Sequence, residues 1–329
     1  MIRYPERIRR ARLPTPVEPA RRLSQKLGVE LIIKRDDLTG AALSGNKIRK
    51  LEFLFAEAAA QGADTVITCG GEQSNHCRAT AVAAAELGLR SYLLLRTDNP
   101  KEPPASEANI LLDRLVGAEV RWVSRDEYKR RATLFVEIQG QLLAQRRKAY
   151  VIPEGGSNAL GAWGYIGCVQ ELKEELGDGP LTIVYAAGSG GTGAGIILGI
   201  KLLNLPWRAV GVNVCDDKEY FVSAIGEIIE QAIQRWLLPI EFDREEIEIL
   251  DGYVGLGYAK SRPEELATLR DVARAEGLIL DPVYTGKAFH AMTQELTKNR
   301  GAFGERICFI HTGGIYGLFP KAKELEPLL

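Results

Sequence analysis

The chain has 329 residues, 46% of them hydrophobic and 26% charged, with a formal net charge of −1. That balance excludes a general nucleic-acid or membrane-surface role, and no apolar run reaches the length of a membrane span. The length suits two domains, each with its own core. The start, "MIRYPERIRRAR", is basic but has no apolar stretch or cleavage site, so no secretory signal is expected. Glu6 and the early prolines weigh against a mitochondrial presequence. The cysteines at 69, 77, 168, 215 and 308 never form a CxxC pair, which fits thiols in a reducing, cytoplasmic setting. Histidines 76, 290 and 311 lack ligand spacing, so no structural metal is expected.

In chain order, the strand-like runs are "ELIIK" (30–34), "TVITC" (65–69), "SYLLL" (91–95), "VRWVS" (120–124) and "AYVIP" (149–153). They continue with "TIVYAA" (182–187), "AVGVNV" (209–214), "LILD" (278–281) and "ICFIH" (307–311). Helical stretches such as "SNHCRATAVAAAELG" and "EELATLRDVARAEG" lie between them. Continuous apolar strands alternating with helices predict an α/β fold with parallel sheets covered on both faces. "RTDNPKEPPASE" (96–107) reads as a surface loop.

An early helix is predicted from "LSGNKIRKLEF" (43–53), with Ser44, Gly45 and Asn46 as turn and cap residues. Its first turn carries Lys47, Arg49 and Lys50, where the macrodipole is positive and acids are the favourable choice.

In open α/β sheets, ligands lie beyond the carboxyl ends of strands, at turns into helices. In "CGGEQSNHCR" (69–78), Ser74 or Asn75 can cap a helix whose free amides suit an anion. In "AAGSGGTGAG" (186–195), five glycines with Ser189 and Thr192 let backbone amides converge on a phosphate. Gly188, Gly190 and Gly193 also satisfy GxGxxG, with Asp216 about 20 residues on, as in a dinucleotide-binding unit. "LDPVYTGKAFH" (280–290) ends a strand-like run with Tyr284 and Thr285 at its mouth, and "FIHTGGIYG" (309–317) offers Thr312 beside two glycines. His311 is assigned no catalytic role.

One hypothesis joins these turns. A phosphorylated aldehyde cofactor needs a glycine cup, a lysine to form an imine, a partner for its ring nitrogen and a donor-rich turn for a substrate carboxylate. A lysine at the positive end of a helix has its charged form disfavoured, which frees the amine as nucleophile and base. The bland alternative is that Lys47 and Lys50 are solvated cations, as most lysines are.

The stretches "KRDDLTG", "SGNKIRKLEF", "GGEQSNHCRATA", "PEGGSNALGAWGY", "GSGGTGAG", "LDPVYTGKA" and "HTGG" run in one order over nearly the whole chain. In them the chain resembles the pyridoxal-phosphate (PLP) enzymes of the tryptophan-synthase β-chain fold (fold type II). Within that fold it resembles the D-cysteine desulfhydrase and 1-aminocyclopropane-1-carboxylate deaminase branch. The resemblance implies two α/β domains of open, mostly parallel sheets: a small one at 46–158, and a large one from 1–45 and 159–329. It also implies pyridoxal 5'-phosphate in the cleft between them, and a homodimer.

Residue by residue, the resemblance makes Lys47, not Lys50, the lysine bonded to the cofactor. Asn75 corresponds to the partner of the ring hydroxyl, and Ser74, Asn75 and His76 to the substrate carboxylate cradle. Gly188, Ser189, Gly190, Gly191 and Thr192 match the phosphate cup. Tyr284 corresponds to the tyrosine against the ring, and Tyr258 to a second active-site tyrosine. Deaminases of this branch carry glutamate where this chain has Thr285, and leucine where it has Thr312. PLP is an electron sink tuned by the partner of its ring nitrogen, so a neutral Thr285 favours α,β-elimination from D-cysteine or another small β-substituted amino acid over cyclopropane opening.

Glu72 departs from the family's aliphatic residue. It either repels an acidic substrate side chain or pairs with Arg78. The rival readings are the deaminase, an NAD(P)-dependent dehydrogenase built on GxGxxG and Asp216, and a protein that binds PLP or an amino acid without turnover.

Overall fold

A computed structural model describes residues 2–329. Its strands are β1 (Val17–Pro19), β2 (Glu30–Lys34), β3 (Thr65–Gly71), β4 (Arg90–Arg96), β5 (Glu119–Val123) and β6 (Ala149–Val151). β7 (Leu181–Ala187), β8 (Trp207–Asn213), β9 (Glu248–Leu250) and β10 (Arg306–Ile310) complete the set. They form one six-stranded sheet, β1-β2-β10-β7-β8-β9, and one four-stranded sheet, β5-β4-β3-β6. Every pairing is parallel except β1 with β2. β3 and β7 are almost wholly buried along their length, as continuous apolar runs require.

Three elements differ from the sequence expectation. "LILD" pairs with no strand, although Leu278 and Leu280 are buried. Its backbone meets a side chain instead, the Ile279 carbonyl lying 3.0 Å from His311 Nε2. An apolar run becomes a strand only if a ladder partner lies beside it, and that partner is not written locally. Conversely, β1 and β9 are three-residue edge strands too short to give a periodic signal.

The helix Lys47–Ala60 buries Ile48, Leu51, Phe53, Leu54 and Phe55, and shares one core with the helices Ala159–Leu176 and Gly191–Leu202. It is anchored by a buried ionic cluster. Arg49 donates from Nε and Nη2 to Asp36 at 2.9 and 2.8 Å, and from Nη1 and Nη2 to Glu171 at 2.8 and 2.9 Å. Lys34 Nζ reaches Glu171 at 2.8 Å, and the Tyr165 hydroxyl donates to Asp36 at 2.7 Å. Burial alone would raise the Asp36 carboxyl; the charge and hydrogen bonds of Arg49, with Tyr165, reverse that and hold it below the ordinary range.

A second buried carboxyl has no such support. Asp113, on the helix Ala108–Leu115, has no hydrogen-bond partner for either oxygen among the described residues. Burial raises it to about 7, against the pull of Arg78. A carboxyl raised in the folded state is harmless below its unfolded value and costs stability as pH climbs through the folded one. Asp113→Asn is therefore expected to raise the melting temperature at pH 8, with the gain vanishing at pH 4. Thermal melts at the two pH values check this, and an equal shift at both contradicts it.

Candidate active site

A cavity of about 1120 Å³ lies at the carboxyl ends of β3, β4 and β7, lined by residues from both sheets. Lys47, Ser74, Asn75, His76, Gly188, Ser189, Gly190, Thr192, Tyr258, Tyr284 and Thr312 all line it. Gly191 and Thr285, expected among them, do not reach the wall.

Lys47 is the first residue of its helix, behind Asn46, whose side chain makes no cap but donates to Thr192 Oγ1 at 3.2 Å. The turn before it is pinned to the "HTGG" turn. The Asn46 amide donates to the Thr312 carbonyl at 3.1 Å, and a Cβ on Gly313 would fall 2.7 Å from Gly45 Cα. Both glycines have positive φ, +111° and +86°, so a side chain at either would be strained as well as crowded. This contact sets the Lys47 side chain at the cavity. Burial lowers its ammonium to about 8, partly offset by Glu154 and Asp281.

The other two cations of that turn also have places. Arg49 enters the ionic cluster. Lys50 is fully buried, its amine 3.2 Å from Ser157 Oγ and 3.3 Å from the Gly155 carbonyl. It lies immediately behind Gly191, where a Cβ would come within 3.0 Å of it. No carboxylate pairs with it among the described residues, and burial followed by the charge of Lys47 holds its pKa well below the ordinary lysine value. A buried cation without an anion is costly, and a phosphate in the adjoining cup would supply one.

In that cup the amides of Ser189, Gly190 and Thr192 have no acceptor among the described residues. The Gly191 amide does, donating to Ser157 Oγ at 3.2 Å, so it braces the cup from behind. Opposite, Ser74 caps the helix Asn75–Glu86 by accepting from the Cys77 amide at 3.1 Å. The Asn75 and His76 amides stay free, and helix-end donors of this kind suit a carboxylate. His76 contributes its backbone, since its ring is held 2.8 Å from Thr68 Oγ1 and burial keeps it neutral.

Asn109 was not visible as a site residue in the sequence, yet it orients Asn75. Arg78 Nε can only donate, and it meets Asn109 Oδ1 at 3.2 Å. Asn109 therefore turns its NH2 toward Asn75 Oδ1 at 3.1 Å, which leaves the Asn75 NH2 as a donor for the cavity.

A Cβ on Gly188 would lie 3.0 Å from Tyr284 Cε1, so glycine there admits the ring against the cup. The Tyr284 and Tyr258 hydroxyls are 2.7 Å apart. Burial raises both phenols, Tyr258 to about 12, so they act as neutral donors at ordinary pH. Lys287 Nζ holds the loop carrying Tyr258 through the Val254 and Gly257 carbonyls, at 2.5 and 2.9 Å. Thr285 is buried behind Tyr284, its hydroxyl donating to Asp281 Oδ1 at 2.7 Å and accepting from the Asp281 amide at 2.9 Å. With its proton committed to Asp281, it can only accept from a further partner.

Glu72 does neither thing expected of it. Its carboxylate accepts from Thr97 Oγ1 at 2.5 Å and does not line the cavity. Arg78 is instead spent on Asn109 and the Ala42 and Ser44 carbonyls. Glu72 lies in the turn that follows β3, outside the wall that Gly70 and Gly71 form.

A family model described as pyridoxal-phosphate dependent enzyme matches residues 8–313. The chain is 44% identical to a mitochondrial bifunctional D-cysteine desulfhydrase/1-aminocyclopropane-1-carboxylate deaminase of Arabidopsis thaliana, over 97% of this chain and 80% of the relative. It is 39% identical to a D-cysteine desulfhydrase of Klebsiella pneumoniae, over 97% of both. A solved structure of an ACC deaminase homologue superposes with a TM-score of 0.89 at 39% identity, covering 99% of this chain and 97% of that one.

Proposed function

The chain belongs to the pyridoxal-phosphate dependent enzymes, and from that premise we propose that it is a D-cysteine desulfhydrase-type lyase. It would convert D-cysteine and water to pyruvate, hydrogen sulfide and ammonia by α,β-elimination. The observation that carries this reading is Lys47: a lysine with its pKa lowered to about 8, at the wall of a cavity that the glycine-rich turn before the helix Gly191–Leu202 and the start of the helix Asn75–Glu86 also line.

The residues fit the cofactor. The amides of Ser189, Gly190 and Thr192, backed by the uncompensated charge of Lys50, suit its phosphate. The Asn75 NH2 suits its ring hydroxyl, and Thr285, buried just behind the wall, is the neutral residue at the position the resemblance gives to the ring nitrogen's partner. When bound, PLP draws electron density away from the substrate's Cα. Lys47 Nζ takes the Cα proton and holds it. Ser74 Oγ and the Asn75 and His76 amides fix the substrate carboxylate, which orients the Cα–H bond toward Lys47. Tyr258 and Tyr284 close the cavity as neutral donors, and Thr312 borders the substrate space.

A neutral hydroxyl at position 285 favours elimination over cyclopropane opening. The deaminase is the second reading, on the bifunctional name of the plant relative. Pyruvate and sulfide released from D-cysteine, against 2-oxobutanoate from 1-aminocyclopropane-1-carboxylate, separates them; 2-oxobutanoate alone overturns the first.

The lowered pKa of Lys47 gives a further expectation. Only the neutral amine attacks an aldehyde, so capture of PLP by the cofactor-free protein should accelerate with pH about a midpoint near 8. Stopped-flow absorbance from pH 6 to 10 measures it, and acceleration confined to the highest pH contradicts the assignment.

The domain division proposed is 46–158 against 1–45 with 159–329, supported by each sheet being drawn from only one of these sets. A cytoplasmic homodimer completes the reading. No cysteine is paired among the described residues, no helix is long and apolar enough to cross a membrane, and light scattering tests the dimer.

A further inference from the structure

Arg96, and not Glu72, brings a charge to the cavity wall beside Gly71. Arg96 ends β4, in register with Gly71 of β3, and it lines the cavity. Its guanidinium lies 5.5 Å from the Tyr258 ring centroid and 4.9 Å from that of Tyr128. A Cβ built on Gly71 would be 3.4 Å from the Tyr258 ring and 3.9 Å from Arg96 Nη2, so the missing side chain leaves open space beside both.

The neighbouring cations of the cavity rim are compensated. Arg125 pairs with Asp98 at 2.7 Å, Lys129 with Asp126 at 2.9 Å and Arg131 with Glu154 at 3.3 Å. Arg96 makes no ion pair or hydrogen bond with any described residue, although Glu154, Asp216 and Glu227 line the same cavity. Cation–π contact with two aromatic rings holds the guanidinium in place and leaves its donors unspent. A partner-free fork of donors beside Tyr258, in the cavity that Lys47 also lines, matches an oxyanion.

We propose that Arg96 is the specificity-determining residue of the side-chain subsite, and that it receives an anionic substituent on the substrate's Cβ. This rests on the lyase reading above. The favoured substrates are thereby small amino acids whose β-substituent itself carries a negative charge before it leaves, as a thiolate or a sulfate ester does. For serine O-sulfate the balance is complete. Lys47 takes the Cα proton, the Cβ–O bond breaks with its electron pair leaving on sulfate, and water releases ammonia to give pyruvate.

The test uses cofactor-loaded protein, wild type and Arg96→Met, with both enantiomers of each probe. Aspartate and asparagine have nearly the same shape and differ by one charge. Titrations followed by the visible absorbance of the holoenzyme should show wild type preferring aspartate by about tenfold or more, as a charge-assisted hydrogen bond implies, and Arg96→Met losing that preference. Likewise, Arg96→Met should lower kcat/KM for serine O-sulfate about tenfold more than for neutral 3-chloroalanine. Arg96→Lys, which keeps the charge without the fork, should fall between.

A purely structural clamp on Tyr128 and Tyr258 would weaken every probe alike, and that result overturns the proposal. So does a wild-type preference for asparagine. Pyruvate from 3-chloroalanine together with either outcome sinks the Arg96 assignment alone. Absence of both a visible cofactor band and pyruvate sinks the lyase reading with it.

Discussion

Lys47→Ala is expected to abolish turnover of every amino-acid substrate while leaving the fold intact. Lys47 is half-buried at the head of its helix and makes no ion pair or hydrogen bond that holds other elements together. On the proposed reading, removing it takes away both the amine that bonds the aldehyde and the base for the Cα proton. Two roles on one atom give a loss of several orders of magnitude, beyond the about 10²–10⁴-fold typical of a general base alone. Lys50→Met should act differently: turnover at saturating PLP survives in part, but the cofactor dissociates about tenfold or more faster, because the phosphate loses a buried cation behind its cup. Borohydride reduction of the holoenzyme and peptide mapping should place the label on Lys47 in the Lys50 variant. Equal loss in both variants, or label on another lysine, removes the distinction.

Arg49→Met is expected to be the most destabilising single change in the neighbourhood of the site. Both Asp36 and Glu171 direct their oxygens at this guanidinium, and Asp36 is fully buried. Deleting one partner of a buried ionic group strands the others, at a cost of about 3–5 kcal/mol. Lys34 stays near Glu171, which limits the damage there, but Asp36 keeps only neutral donors, from Thr15 and Tyr165. Urea unfolding of the holoprotein should show a lower midpoint at unchanged slope. The loss should shrink as pH falls, because the stranded Asp36 of the variant, without Arg49 to offset its burial, is protonated first, and the wild type gives up its own ion pair only as pH passes through its depressed carboxyl value. A midpoint unchanged at neutral pH contradicts this account. The cluster bears on function as well, since Arg49 is two residues from Lys47 and fixes the helix that presents it.

Much of the site was legible in the sequence because its parts are local. A glycine-rich turn after an apolar run, a serine before an alanine-rich helix and a lysine after Gly45-Asn46 each declare their backbone chemistry within a few residues. The strands from "ELIIK" to "ICFIH" were legible for the same reason, apart from "LILD", whose apolar residues are buried without a ladder. Asn109 carried no signal of its own. Its part depends on Arg78, 31 positions away, presenting a donor to its oxygen.

By itself, the sequence determined the α/β class and the order of the glycine- and cap-bearing turns, since strand period, caps and glycine conformations are short-range properties, while the choice of Lys47 over Lys50 came from the family resemblance. Only the tertiary structure decided what three adjacent cations do. Successive helical positions turn through about 100°, which sends Lys47 to the cavity, Arg49 to Asp36 and Lys50 behind the cup. It also decided which charge lies at the cavity wall near this turn. Glu72, in the turn after β3, accepts from Thr97, and the β3–β4 register brings Arg96 beside Gly71, a pairing between residues 25 apart that no local pattern encodes.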